Sequence, residues 1–195
     1  PVLAIEELIW NALDADATYV KVIFIKNLLQ GYEKIIVEDN GHGIDANNKK
    51  NTFGKLGDSL KKQTLYTRTR RRTMHGKEGK GRFRALGLGN RTEWFSRYSD
   101  PAQGIQEWTI SADSAELRKF RFSKPTFSTV AATGCTVTIS NLNDGLISQL
   151  LQQDAVDELT ARLALYLKKY QDVTIKYDGQ ILNPAKLQVS ERSYE

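Results

Sequence analysis

Two short stretches decide how this chain is read: ELIWNALDA, residues 7–15, and EDNGHGI, residues 38–44. The first lies in VLAIEELIWNALDAD, residues 2–16, where Ile5, Leu8, Ile9, Ala12 and Ala15 recur at threes and fours and predict a helix with an apolar stripe. Glu7, Asn11 and Asp14 are spaced to share one face of that helix, opposite the stripe. YVKVIFIK, 19–26, and KIIVE, 34–38, read as strands joined through the turn NLLQGYE into a hairpin. The second stretch follows as a glycine-rich loop carrying Asp39, Gly41 and Gly43.

Working outward, residues 45–62 suggest a short helix and turn, and 63–81 are polar, basic and weakly patterned, as in a flexible lid. Phe83–Leu88 restarts a helix after glycines. Strands are expected at 92–98, 105–111, 117–122 and 135–140, and an amphipathic helix at 152–169. A last strand pair, VTIKY and QIL, turns at Asp178-Gly179, a favoured hairpin dipeptide. This order predicts a mixed sheet covered by helices on one face.

The chain has 195 residues, which suits one domain. Its 40% hydrophobic and 26% charged residues exclude wholesale disorder. No apolar run approaches the roughly 18–20 residues that span a bilayer, so no membrane partner is expected. The single cysteine, Cys135, excludes an internal disulfide framework and multi-cysteine zinc sites, and a reducing, cytoplasmic setting follows. The sequence opens on Pro1 already in helix, so it reads as a fragment of a longer chain. The net charge of +5 is uneven: residues 61–84 carry ten basic residues and one acid, while the remainder is net −4. That block attracts polyanions such as nucleotide phosphates or nucleic acid, and Arg68–Arg72 equally suits a solvated loop.

Four segments carry chemistry, each with a plainer alternative. Glu7 can act as a general base and Asn11 can offer a neutral oxygen to a hard cation, but most solvated helix faces look the same. A carboxylate at a strand end, Asp39, can accept a hydrogen bond from an exocyclic amine such as that of adenine. Gly41 and Gly43 permit positive φ and close approach to a flat ring, or simply a tight turn. In HGKEGKGRFR, residues 75–84, glycines free N–H groups to cradle phosphate oxygens ahead of a helix N-terminus. The spacing matches neither the Walker A loop nor the Rossmann fingerprint. TGCTVTI, 133–139, reads as a turn into a buried strand. His42 and His75 lack the ligand set zinc requires, so neither is assigned a role.

In this order the segments resemble the GHKL superfamily of ATPases, which includes gyrase B subunits, heat-shock chaperones, histidine kinases, MutL and MORC proteins. Residues 7–15 resemble its N box (E-x-x-x-N-A-x-D-A), 39–43 its D-x-G-x-G box, 76–83 its glycine-rich lid box and 134–139 its G-T-x-V-x-I strand. The resemblance implies a Bergerat fold: an α+β two-layer sandwich of a mixed, mostly antiparallel sheet, with helices on one face and a mobile ATP lid over about 55–82. It implies one ATP-binding domain over residues 1–195.

The resemblance also assigns roles. Glu7 would polarise the attacking water, Asn11 would ligate Mg²⁺, and Asp14 would lie beside the nucleotide. Asp39 would bind the adenine amino group in a pocket shaped by Gly41 and Gly43. Gly76, Lys77, Gly79, Lys80, Gly81, Arg82 and Phe83 would wrap the phosphates, with Lys61 reaching them from the start of the lid. Cys135 stands where the family usually has Thr, and a thiol is the weaker hydrogen-bond partner. Glu7 in this register disfavours histidine kinases. The flanking sequence looks closest to the chaperone, MORC and MutL-like branch of bacterial ATP-binding proteins. In those relatives a following domain supplies a further lysine, so weak hydrolysis is expected of this piece alone. The implied cycle is Mg-ATP binding, lid closure, homodimerisation of a clamp-like protein and slow hydrolysis. Alternatives are a nucleotide sensor with little turnover, or a module that also binds DNA or RNA through Arg68–Arg72.

Overall fold

The computed structural model describes residues 1–49, 53, 65–75, 84–116 and 119–187. Strict alternation builds its sheet. In β1 (Tyr19–Lys26) Val20, Val22 and Phe24 are buried while their neighbours stay partly exposed. In β2 (Tyr32–Asp39) the inward row is Ile35 and Val37, and Asp39 stands next in that row. The long strands β3 (Gly89–Asp100) and β4 (Gly104–Asp113) bury Trp94, Tyr98, Trp108 and Ile110 on the same principle. Short strands β5 (Phe120–Phe122) and β6 (Thr126–Phe127) flank β4, and β7 (Gly134–Leu142) buries Cys135, Val137 and Ile139. The hairpin β8 (Thr174–Tyr177) and β9 (Gln180–Ile181) turns at Asp178 and Gly179, both at positive φ (46° and 84°), as that dipeptide favours.

Among the described residues these nine strands form one sheet in the order β5-β4-β3-β7-β2-β1-β8-β9, with β6 also against β4. Every pairing is antiparallel except β1 with β8. Among the described residues the longer helices are α1 (Val2–Asp14), α2 (Asp144–Leu150) and α3 (Gln153–Lys169). The buried sides of α1 (Ile5, Ile9, Leu13) and α3 (Leu159, Leu163) join the inward rows of the strands in one hydrophobic cluster. The result is the expected two-layer α+β sandwich with a mixed, mostly antiparallel sheet. α1 and α3 run alongside each other in the same direction: Glu6 pairs with Arg162 at 3.4 Å, and one turn later Trp10 meets Tyr166 edge-on at 5.1 Å.

The structure differs from the sequence reading at several boundaries. Phe83 lies outside the described residues; of the helix expected over Phe83–Leu88, the described part is Arg84 in helical conformation followed by a 3-10 turn, Ala85–Gly87, which ends where β3 begins at Gly89, opposite Leu142 of β7. Its close pairing there leaves 2.6 Å between the place a Cβ would take on Gly89 and the Ser140 carbonyl oxygen. The helical region after β7 begins at Asp144 rather than 152, as the separate helix α2. No described helix is long and apolar enough to cross a membrane.

Candidate functional site

The two stretches that open the sequence reading meet where α1 ends and β2 ends. After α1, Ala15, Asp16 and Ala17 turn the chain, with Asp16 at φ 63°. The loop after β2 is fastened to that turn: His42 N–H donates to the Ala15 carbonyl at 2.9 Å. The Asn40 side chain accepts from both Thr18 and Tyr19 N–H groups at 2.9 Å. Farther along the loop, Ile44 N–H donates to Ser96 Oγ at 2.7 Å and the Ile44 carbonyl accepts from Trp108 Nε1 at 2.7 Å. The loop 39–44 is therefore tied to α1, β1, β3 and β4 at once.

Asp39 sits at the centre of this corner. Cys135 is its ladder partner on β7, and the N–H groups of Gly41 (2.8 Å to Oδ1) and Cys135 both donate to its carboxylate. Burial pushes the carboxyl up to about 6, against the pull of those two donors, which favour the anion. Among the described residues no cation pairs with it. Burial also pushes the Cys135 thiol well up, with the Asp39 charge adding to the effect, so the thiol is a packing group.

The glycines around Asp39 are required by protein backbone. A Cβ on Gly41 would fall 2.6 Å from the Ala15 carbonyl oxygen. One on Gly43, at φ 72°, would fall 2.1 Å from the Arg97 carbonyl oxygen, and one on Gly134 2.3 Å from that of Asp39. The positive φ expected of both loop glycines holds for Gly43 alone of the pair. The close approach that forbids a side chain here is to neighbouring strands and turn, before any ring is considered.

On α1 the three polar residues separate. Asn11 is exposed, and Glu7 is partly exposed with Arg84 Nη1 3.4 Å from its Oε1. Asp14, whose spacing puts it opposite the apolar stripe, is buried, because the last turn of the helix packs beneath residues 65–75. Its Oδ1 accepts the His75 N–H at 3.0 Å. The His75 ring lies flat on Trp10, with centroids 3.9 Å apart.

Residues 65–75 form a hydrogen-bonded turn rather than a patternless loop. Tyr66 bridges to Thr73, and Thr67 N–H donates to the Arg72 carbonyl at 2.8 Å. Asp16 accepts from Thr69 N–H and Oγ1, both at 2.7 Å, and from Arg70 N–H at 3.3 Å. Burial pulls the Asp16 carboxyl up, but hydrogen bonds from Thr67, Thr69 and Arg70 outweigh it and hold the group below its ordinary value. Arg72, only 2% exposed, donates to the Ala17 carbonyl at 2.7 Å and to Asp172 at 2.6 Å. It also lies over the Tyr170 ring. Arg70 reaches the same Asp172 oxygen at 2.6 Å. Thus two arginines of the basic run are committed internally, while Arg68 and Arg71 are exposed.

Lys61, Gly76, Lys77, Gly79, Lys80, Gly81, Arg82 and Phe83 lie outside the described residues. Sequence reasoning missed Asn40, Asp16, Ser96, Trp108 and Asp172. Of these, only Asn40 and Asp16 stood beside a recognised motif; the other three reach the corner through the tertiary fold. Among the described residues no group of three or more His, Cys, Asp or Glu side chains converges as a metal site. The chemistry of Asn11, a neutral oxygen donor one turn from Glu7, fits an ion that keeps waters and takes most other ligands from a bound phosphate.

A family model described as histidine kinase-, DNA gyrase B-, and HSP90-like ATPase matches residues 2–134. Comparison with curated proteins gives no match. Among solved structures, the Aquifex aeolicus MutL ATPase domain complexed with ADP is similar at a TM-score of 0.51 and 18% identity, over 93% of this chain and 61% of that one. The ATPase region of Saccharomyces cerevisiae topoisomerase II bound to ICRF-187 (dexrazoxane) is similar at a TM-score of 0.61 and 16% identity, over 93% and 48%. At these identities the likeness is one of fold, and the chain spans less than two thirds of either structure.

Two outcomes follow from this geometry. A folded-state pKa near 6, above the unfolded value, means that ionising Asp39 costs stability as pH rises from about 4 through 6. Asp39→Asn is expected to raise unfolding free energy at pH 8 by about 2–3 kcal/mol, with the gain closing toward pH 4, read by urea titration at several pH values. Arg72→Ala is expected to cost about 2–4 kcal/mol, whereas Arg68→Ala and Arg71→Ala stay within about 0.5 kcal/mol of wild type in the same assay.

Proposed function

The chain belongs to the histidine kinase-, DNA gyrase B-, and HSP90-like ATPase family, and from that premise we propose that it binds Mg-ATP at the corner around Asp39 and hydrolyses it slowly. One observation carries this reading: a carboxylate only partly open to solvent, with a raised pKa and no cationic partner among the described residues. Leaving such a group unpaired costs stability, and structures keep that arrangement where a ligand is to be gripped. Near neutral pH Asp39 is an acceptor-only group, suited to the exocyclic amine of adenine and unsuited to the carbonyl oxygen that guanine carries there.

The remaining roles follow along the chain. Gly41 and Gly43 set the loop that frames the base, and Cys135 lines the same pocket as an apolar wall. Asp14 holds His75 and with it the start of the glycine-rich box. Gly76 to Phe83 offer N–H groups to the phosphates, with Lys61, Lys77, Lys80 and Arg82 as counter-charge. Asn11 would hold Mg²⁺, which when bound supplies charge neutralisation at the phosphates. Glu7 accepts a proton from the attacking water. Closure over the nucleotide of the parts of residues 55–82 on either side of the anchored turn 65–75, followed by pairing of two copies of a longer clamp-like protein in the cytoplasm, is the cycle we assign to the domain.

The nucleic-acid reading loses half its support in the basic run, since Arg70 and Arg72 both bond Asp172. Arg68 and Arg71 remain available for phosphate contact, too few for a steep salt dependence.

Equilibrium titration with ATP, ADP and GTP, with and without Mg²⁺, tests the pocket. Adenine nucleotides are expected to bind at least tenfold tighter than GTP, with Asp39→Asn erasing the preference. Affinity for ATP should fall several-fold as pH drops from 7.5 to 5, because protonation near 6 removes the anionic acceptor. Glu7→Ala is expected to keep ATP affinity within a few-fold and abolish phosphate release; persisting turnover would remove Glu7 from the mechanism.

A further inference from the structure

Glu7 has a neighbour that the ATPase reading does not use. Arg84 Nη1 lies 3.4 Å from Glu7 Oε1, and the two side chains remain 48% and 30% exposed. Arg84 stands directly after the glycine-rich box and opens the turn Ala85–Gly87 that packs against α1. The same chain shows what an arginine built for stability looks like: Arg72 is 2% exposed and bonds a carbonyl, a carboxylate and a ring face. Arg84 has none of that enclosure, and an exposed pair of this length adds little to stability. A contact so weakly held is easily exchanged for a stronger one.

A terminal phosphate is such a partner. It carries more charge than a carboxylate, and its oxygens match the planar fork of a guanidinium. Given the ATPase reading, on which this inference rests, the third phosphate lies close to the residue that receives the water proton, where Arg84 already stands.

We propose that Arg84 positions Glu7 and reads the γ-phosphate. It pairs with Glu7 when the nucleotide is absent or is a diphosphate. It transfers to the terminal phosphate of ATP, and the freed Glu7 carboxylate takes the water. Arg84 thereby favours triphosphate over diphosphate, and it keeps Glu7 occupied until there is something to hydrolyse.

The test is a binding cycle on the full chain with wild type, Arg84→Gln, Glu7→Gln and the double variant, titrated with ADP and with a β,γ-imido ATP analogue. Arg84→Gln is expected to weaken the analogue five- to twentyfold and leave ADP within twofold, so that ADP binding reports an intact fold. Glu7→Gln is expected to tighten the analogue two- to fivefold where Arg84 is present and to change nothing when added to Arg84→Gln. In steady state, Arg84→Lys should recover part of the lost KM for ATP, since it restores charge without the fork. Equal weakening of both nucleotides by Arg84→Gln overturns the inference alone, as does an identical effect of Glu7→Gln with and without Arg84. A wild-type protein that binds neither nucleotide overturns the ATPase reading with it.

Discussion

A carboxylate that the fold leaves only partly open to water, with no counter-cation among the described residues, is the constraint on which the corner at Asp39 depends. Burial works against the anion, and two backbone N–H groups recover only part of the loss, leaving a pKa near 6. Such a group persists only if its surroundings cannot rearrange to solvate it. The glycines explain why they cannot. At Gly41, Gly43 and Gly134 the backbone of α1's end, β3 and β2 fills the space a side chain would need. The loop is also bonded to four elements, which hold it in place. The corner at Asp39 is held by the rest of the sandwich.

The charge distribution has a different logic from the one its arithmetic suggests. The excess of ten basic residues over one acid in 61–84 reads as a surface for polyanions. Yet within it Arg72 is among the most deeply buried large side chains in the structure, and it shares Asp172 with Arg70. The two arginines fix the turn 65–75 to the end of α3, and Asp16 fixes its tip to the end of α1. His75, stacked on Trp10 beside Asn11, then delivers the chain to the glycine-rich box from a defined starting point. The anchors of the segment before the box thus come from the helix that carries Glu7 and Asn11 and from the helix beside it.

What the sequence made legible follows from how local each signal is. Alternation fixed every long strand, and the spacing in 2–14 fixed α1, because burial on one face is written directly into residue order. The Asp178-Gly179 turn was legible because its φ angles are a property of two residues. The burial of Asp14 was not legible because it depends on a segment over sixty positions away. Asp172 gave no signal: an acid in a loop is ordinary until the fold brings two arginines to it. The helix α2 was missed because its seven residues are too few to display a period. At the candidate site Asp39, Gly41 and Gly43 stood out through their motif. Asn40, Ser96 and Trp108, which lock the loop in place, are polar or aromatic residues whose role exists only in three dimensions.

The two arginine–carboxylate pairs, Arg72 with Asp172 and Arg84 with Glu7, show how burial decides what an ion pair is for. Formal charges and the arginine are the same in both, and only the carboxylate differs by one methylene. Around Arg72 the guanidinium has lost its water, and each donor must find a protein acceptor, so the contact is costly to break and holds two elements together. Around Arg84 both partners keep much of their hydration, so making or breaking the contact changes the free energy little. A strut must resist competition, and a switch must yield to it. A phosphate arriving at Arg84 competes with one partly solvated carboxylate, whereas one arriving at Arg72 would have to displace a carbonyl, a carboxylate and an aromatic face together. The turn 65–75 and the contact beside Glu7 therefore share one chemistry and still sit at opposite ends of the scale of exchangeability.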